Sequence, residues 1–251
     1  MKECLVVIPA RYGSTRFPGK VLAKLSGQPV VEWCYRAAKA ARVGPVLVAT
    51  EDSRVIKAAR AFGAKAVLTS ESCVSGTDRV YEAAKPYKTP FVINLQGDCP
   101  LMAPATLRRI VALLSQEPRA DIATAVIALK EESRALNPNV VKAVLSAEGR
   151  ALYFSRAAIP YPRNCRAPQR FEHLGIYGFR RSSLKRFVNL PASPLEQTES
   201  LEQLRALEAG MSIYAAVVKD LPVAIDTPED LRHAQNLARK LKMGPRSPIK
   251  P

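Results

Sequence analysis

Cysteine is scarce and scattered in this chain. Cys4, Cys34, Cys73, Cys99 and Cys165 are odd in number and form no CxxC pair. Neither a disulfide framework nor a structural zinc site is expected, and a reducing, cytoplasmic setting fits. No apolar run has the length that a bilayer span requires, and the N-terminal CLVVIP is too short for a signal segment, so membrane insertion is not expected. Aromatic residues make up only 6% of the chain and are not interleaved with Lys and Arg, as a base-stacking platform would need. Specific nucleic-acid binding is therefore disfavoured, despite a formal net charge of +16. Acidic residues stop at Asp230, and the remaining ARKLKMGPRSPIKP reads as the close of a helix running into a basic, proline-rich tail, residues 243–251.

What is present has the rhythm of an α/β protein. CLVVIP, PVLVAT, AVLT and FVINLQ are short, β-branched runs separated by amphipathic segments, the pattern of a mainly parallel sheet flanked by helices. Asp52 or Ser53 is suited to cap one helix, and Pro104 to open another. Past about residue 135 the pattern changes. VVKAVL, SAEGR and ALYFSR read as an antiparallel hairpin, AIPYPRNCRAP as a loop, and HLGIYGF as a strand. Helices over 201–209 and 229–241, with the strand SIYAAVV, restore the α/β alternation. With no repeat and no clear linker, residues 1–242 read as a single domain.

In open α/β sheets, ligands bind beyond the carboxyl ends of the strands, and three loops there carry unusual chemistry. The first, ARYGSTRFPGK, packs Arg11, Arg16 and Lys20 around Gly13, Ser14 and Gly19, a composition suited to a phosphate-rich anion or, more plainly, to a basic surface turn. It is neither GxGxxG nor GxxxxGK[ST], which argues against a dehydrogenase and against a P-loop. In the second, Ser75, Gly76 and Thr77 stand at a helix start, where backbone donors can face a base or phosphate; the same residues also suit ordinary capping. In the third, a buried strand ends in Gln96, Gly97 and Asp98. Asp98 at such a mouth, with Asp226 of AIDTPED, can hold a magnesium ion, although Asp226 can equally cap the following helix.

The stretches IPARYGSTRFPGK, SGTDR, NLQGDCP, NPNVVKAVL, ALYFSRAAIP, HLGIYGF, LEQLRALEAG and DTPEDL occur in the order seen in the 3-deoxy-manno-octulosonate cytidylyltransferases, the CMP-Kdo synthetase family. The chain resembles that family from about residue 4 to 240. The resemblance implies a Rossmann-like nucleotide-diphospho-sugar transferase fold and a cytoplasmic, Mg2+-dependent enzyme. Its reaction would join CTP to 3-deoxy-D-manno-octulosonate (Kdo), giving CMP-Kdo and pyrophosphate for lipopolysaccharide biosynthesis. It matches Arg11, Ser14, Arg16 and Lys20 to a triphosphate loop, Ser75, Gly76 and Thr77 to cytidine recognition, and Gln96 to the edge of the reaction centre. Asp98 and Asp226 match magnesium ligands; with Lys20 and Arg16 they would form the catalytic group. Arg156, His173, Tyr177, Glu202 and Gln203 match segments lining a sugar pocket, with Arg156 suited to the sugar carboxylate. His173 reads as a neutral hydrogen-bonding group or a structural histidine, and Cys99 as packing. Residues 136–190 correspond to a region of dimer contact as well as sugar binding, implying a homodimer. Alternatives are a cytidylyltransferase acting on 8-amino-Kdo or an N-acylneuraminate and, in another class, a basic nucleic-acid-binding protein.

Overall fold

The computed structural model describes residues 4–14, 16–164 and 169–240. Cys165 and the tail 243–251 lie outside them. The chain divides into two compact units, one drawn from Met1–Arg108 and Pro222–Pro251 and the other from Arg109–Leu221.

The first unit opens with β1 (Cys4–Pro9), the short hairpin β2 (Lys24–Leu25) and β3 (Gln28–Pro29), and α1 (Val30–Ala41). Then come β4 (Val46–Thr50), α2 (Ser53–Ala61), β5 (Lys65–Leu68), α3 (Gly76–Ala84), β6 (Phe91–Asn94) and α4 (Pro104–Gln116), through which the chain passes into the second unit. Its strands run parallel in the order β6, β1, β4, β5. Every residue of β1, β4 and β6 is buried, which is why these runs are apolar without alternation. Fully burying a Val, Leu or Ile side chain contributes roughly 1.5–3 kcal/mol, so these strands anchor the unit. Asp52 caps α2, accepting from the Arg54 N–H at 2.8 Å. The helix Pro228–Lys240 packs Ala234 with Ile225, Leu25, Val30 and Trp33 in one apolar cluster.

The second unit contains β7 (Ile122–Leu129), α5 (Glu132–Leu136), β8 (Lys142–Leu145), β9 (Ala151–Ser155), β10 (Arg170–Arg180), α6 (Arg181–Val188), α7 (Pro194–Glu199), α8 (Gln203–Glu208) and β11 (Ile213–Val218). The helix Pro228–Lys240 is then α9. Strand β11 pairs parallel to β7, and β10 pairs antiparallel to both β7 and β8. The β8–β9 hairpin expected around SAEGR is present: Ser146 donates to the Arg150 carbonyl at 2.8 Å, and Gly149 takes φ +81° in the turn. In β10 the pairing slips between His173 and Tyr177, at Gly175 with φ +62°, so the glycine of HLGIYGF serves a bulge.

Candidate active site

Beyond the carboxyl ends of the parallel strands, the first unit forms a cleft of about 350 Å³. Its walls include Arg11, Ser14, Arg16, Lys20, Ser75, Gly76, Gln96, Asp98 and Asp226. Nine of the ten residues assigned to this site from the sequence line one cavity. Thr77 is the tenth. It is buried behind the wall, where its hydroxyl accepts from Asn94 Nδ2 at 3.1 Å.

The cationic loop leaves β1 with Ala10 N–H bonded to the Ala49 carbonyl, and it closes where Gly19 N–H meets the Tyr12 carbonyl, both at 2.9 Å. Gly19 has φ +70°, and a Cβ there would lie 3.1 Å from the Tyr12 ring, so the position requires glycine. The following Lys20 reaches Asp98 Oδ2 at 2.6 Å and Asp226 Oδ1 at 2.8 Å, while Arg16 Nη2 stands 3.0 Å from Asp226 Oδ2. Burial alone would lower the Lys20 pKa; the Asp98 charge and hydrogen bonds to both aspartates outweigh it and leave it raised. Burial pushes Asp226 upward, but the Lys20 bond and charge, with Arg16, hold it below the ordinary carboxylate value.

Sequence spacing left open whether Asp226 caps α9. The structure gives that task to its neighbours: Asp230 N–H donates to Thr227 Oγ1, and Asp230 Oδ2 accepts from the Asp226 and Thr227 N–H groups. The Asp226 carboxylate is thereby turned to the cleft, and the Ile225 N–H bond to the Asp98 carbonyl (2.9 Å) brings the two aspartate segments together. Two carboxylates that meet on one ammonium present oxygens to one cation. An all-oxygen pair of this kind fits magnesium, which completes its shell with water and phosphate oxygens. Among the described residues there is no group of three or more His, Cys, Asp or Glu able to hold a metal.

At the second loop, capping and cavity lining coexist. Ser75 Oγ accepts from the Thr77 and Asp78 N–H groups, and Asp78 Oδ2 accepts from Ser75 N–H, a complete capping box. The Gln96 amide is oriented by Asn94, whose Oδ1 accepts from Gln96 Nε2 at 2.9 Å; this leaves Gln96 Oε1 as the acceptor on Gly76's side of the cleft. Cys99 is buried, its thiol pushed well up by that burial and by Asp98, which suits packing and not nucleophilic chemistry.

In the second unit, His173, Tyr177 and Gln203 are buried together. Thr124 Oγ1 donates to the Ile176 carbonyl at 2.7 Å, so its contact with His173 Nε2 at 2.8 Å must be accepted from the imidazole. His173 therefore carries its proton on Nε2, and burial lowers its pKa to about 3. Tyr177 Oη donates to Gln203 Oε1 at 2.9 Å, while Gln203 Nε2 is buried without a hydrogen-bond partner among the described residues. Glu202 stands half-buried at the start of α8. Arg156 is occupied structurally: its guanidinium donates to the Glu199, Pro138 and Ser200 carbonyls at 2.7, 2.9 and 3.3 Å. Two residues beyond the sequence reading contribute to the cleft region, Arg79 on its wall and Glu51 against Arg79. Their separation along the chain gave no local signal.

A parallel α/β sheet whose strand ends carry a cationic loop and paired carboxylates is suited to hold a phosphorylated ligand and a divalent cation. A family model described as Cytidylyltransferase matches residues 5–213. The 3-deoxy-manno-octulosonate cytidylyltransferase of Elusimicrobium minutum is 50% identical, the match covering 95% of this chain and 99% of the relative. That of Acidobacterium capsulatum is 44% identical over 95% and 97%. The solved structure of a CMP:2-keto-3-deoxy-manno-octonic acid synthetase complexed with CTP superposes with a TM-score of 0.90 at 40% identity, covering 95% of this chain and 99% of that one. A cytidylyltransferase from Leptospira borgpetersenii shares the fold, with a TM-score of 0.62 at 18% identity over 96% and 95% of the two chains. The chain belongs to the 3-deoxy-manno-octulosonate cytidylyltransferase family.

Proposed function

We propose that this enzyme activates Kdo with CTP, giving CMP-Kdo and pyrophosphate. The observation that carries the reading is the cleft in which Lys20 and Arg16 meet Asp98 and Asp226 beside the cationic loop, in a chain of this family. Arg11, Ser14, Arg16 and Lys20 hold the triphosphate, and the start of α3 at Ser75 and Gly76 faces the nucleoside. Thr77 acts from behind by fixing Asn94, and through it Gln96.

The anomeric hydroxyl oxygen of the sugar bonds to the α-phosphorus, its proton passing to solvent, while the bond between the α-phosphorus and the pyrophosphate oxygen breaks. Lys20 and Arg16 stabilise the charge that builds on the phosphate oxygens, and much of the rate comes from positioning the two reactants. Asp98 and Asp226 would hold magnesium, which would supply charge neutralisation at the phosphate oxygens and make the sugar hydroxyl easier to deprotonate. His173, neutral at working pH, serves the sugar through hydrogen bonding and not as a general base. Gln203 Nε2 is a donor that a sugar oxygen can satisfy, with Tyr177 fixing the amide and Glu202 beside it. Arg156 contributes by holding this segment to the end of β9.

The enzyme works as a homodimer in this reading. Leu136, Leu152 and Tyr161 expose 65%, 55% and 84% of their surface within the 136–190 region, the apolar side chains that a partner would cover. Among the described residues no helix is long and apolar enough to cross a membrane, in keeping with action in the cytoplasm on a lipopolysaccharide precursor. The test is pyrophosphate release with CTP and magnesium when Kdo, 8-amino-Kdo and N-acetylneuraminate are offered separately. Turnover is expected with Kdo; preference for another sugar would overturn the substrate assignment, and release with none would overturn the reaction.

A further inference from the structure

Glu51, the first residue after β4, joins parts of the cleft that lie far apart in sequence. Its Oε1 accepts the Tyr12 main-chain N–H at 3.1 Å, and its Oε2 lies 3.0 Å from Arg79 Nη2. Arg79, on α3, is 2% exposed, lines the cleft and donates from Nη1 to Thr69 Oγ1. Thr69 N–H in turn donates to the Thr50 carbonyl at 2.9 Å. One ion pair thus ties the loops after β1, β4 and β5 to the first turns of α3.

An ion pair largely withdrawn from water is weak evidence for stability, because desolvating the charges offsets most of their attraction. What it adds is placement: the Arg79 guanidinium, hydrogen-bonded to Thr69 and ion-paired to Glu51, and the Glu51 carboxylate, which accepts from Tyr12 N–H, hold their neighbours in one arrangement. Here one of those neighbours is the backbone of Tyr12, between Arg11 and Gly13 in the cationic loop. Tyr12 is held again by the Arg54 guanidinium, 3.5 Å over its ring. The other end is the helix whose start, at Ser75 and Gly76, lines the same cleft.

We propose that Glu51 and Arg79 are positioning residues of the nucleotide site, setting the cationic loop against the start of α3 so that one nucleotide meets both. The inference rests on the CTP reading above. It is tested with Glu51→Gln, Arg79→Met and the double variant, measuring CTP affinity by calorimetry, the KM for CTP, kcat and thermal melting. Arg79→Lys, which keeps the charge, replaces Arg79→Met if that variant does not fold.

Each single variant should weaken CTP binding roughly tenfold to a hundredfold, the range of coupled neighbours, with kcat falling far less than KM rises. The double variant should bind CTP no worse than Arg79→Met alone, since the two act through one contact. Folded single variants with wild-type CTP affinity would overturn the proposal, leaving the pair a structural feature only. Fully additive losses in the double variant would also overturn it. If the wild-type protein itself fails to bind CTP, the nucleotide reading falls and takes this inference with it; normal wild-type binding with unaffected variants sinks the positioning role alone.

Discussion

Moving the protein from pH 7.5 to pH 5 should remove about 2 kcal/mol of stability through His173 alone. The folded-state pKa is about 3 against an ordinary value of 6.5, because burial disfavours the imidazolium. The unfolded chain therefore takes up the proton first as the pH falls. The stability linked to His173 is complete above about pH 6.5 and drains away between 6.5 and 3. At pH 5 the unfolded ring lies 1.5 units below its pKa, and at about 1.4 kcal/mol per unit the loss is about 2 kcal/mol. For a chain of this size that corresponds to roughly 4–8 °C in Tm. His173→Gln removes the titration while retaining an amide N–H that can reach Thr124 Oγ1. The assay is urea unfolding of both proteins at the two pH values. The wild type should lose about 2 kcal/mol more than the variant, and nitrogen NMR of the wild-type ring should report a neutral Nε2–H form down to about pH 4. Equal losses in the two proteins, or an imidazolium signal at pH 5.5, would refute the reasoning.

Asp98→Asn should abolish turnover while leaving the circular dichroism spectrum unchanged, since it removes a charge from the cleft at nearly constant volume; near-normal turnover of the folded variant at saturating magnesium would contradict the role. Gly97→Ala should destabilise the first unit by about 1–3 kcal/mol and depress turnover, because the new Cβ would lie 2.7 Å from the Pro9 carbonyl and neither backbone segment can give freely. Thermal melting and pyrophosphate release check it. Lys142→Met should cost about 2–5 kcal/mol: the fully buried ammonium donates to the Asn137, Val140 and Arg156 carbonyls, and methionine would leave those of Val140 and Arg156 without a donor, Asn137 keeping the Val140 N–H. Denaturant unfolding of the variant gives the number.

Much of the cleft could be read from the sequence because its parts are local. A glycine-rich cationic loop after an apolar strand, and an aspartate after the next central strand, carry their chemistry in contiguous residues. What a motif does not reveal is how a side chain is spent. Ser75 and Thr77 look alike as polar residues at a helix start, yet one caps and lines the cleft while the other faces inward to Asn94. Arg156 looked free to clamp a carboxylate, but three carbonyls from residues 138, 199 and 200 hold it. Strand β7 escaped notice because IATAVIAL is rich in alanine, a weak strand former, and is buried along most of its length, so no alternation marks it. The Glu51–Arg79 pair was illegible for a different reason. Its partners meet through the sheet's topology, and no spacing along the chain encodes that.

Joining of CTP and Kdo in this cleft can be followed by phosphorus NMR of one reaction mixture. With enzyme, CTP, Kdo and magnesium, the CTP signals should decay into equal amounts of pyrophosphate and a phosphodiester that mass spectrometry identifies as CMP-Kdo, and Asp98→Asn should produce neither. CTP left intact, or pyrophosphate released without the sugar diester, would contradict it.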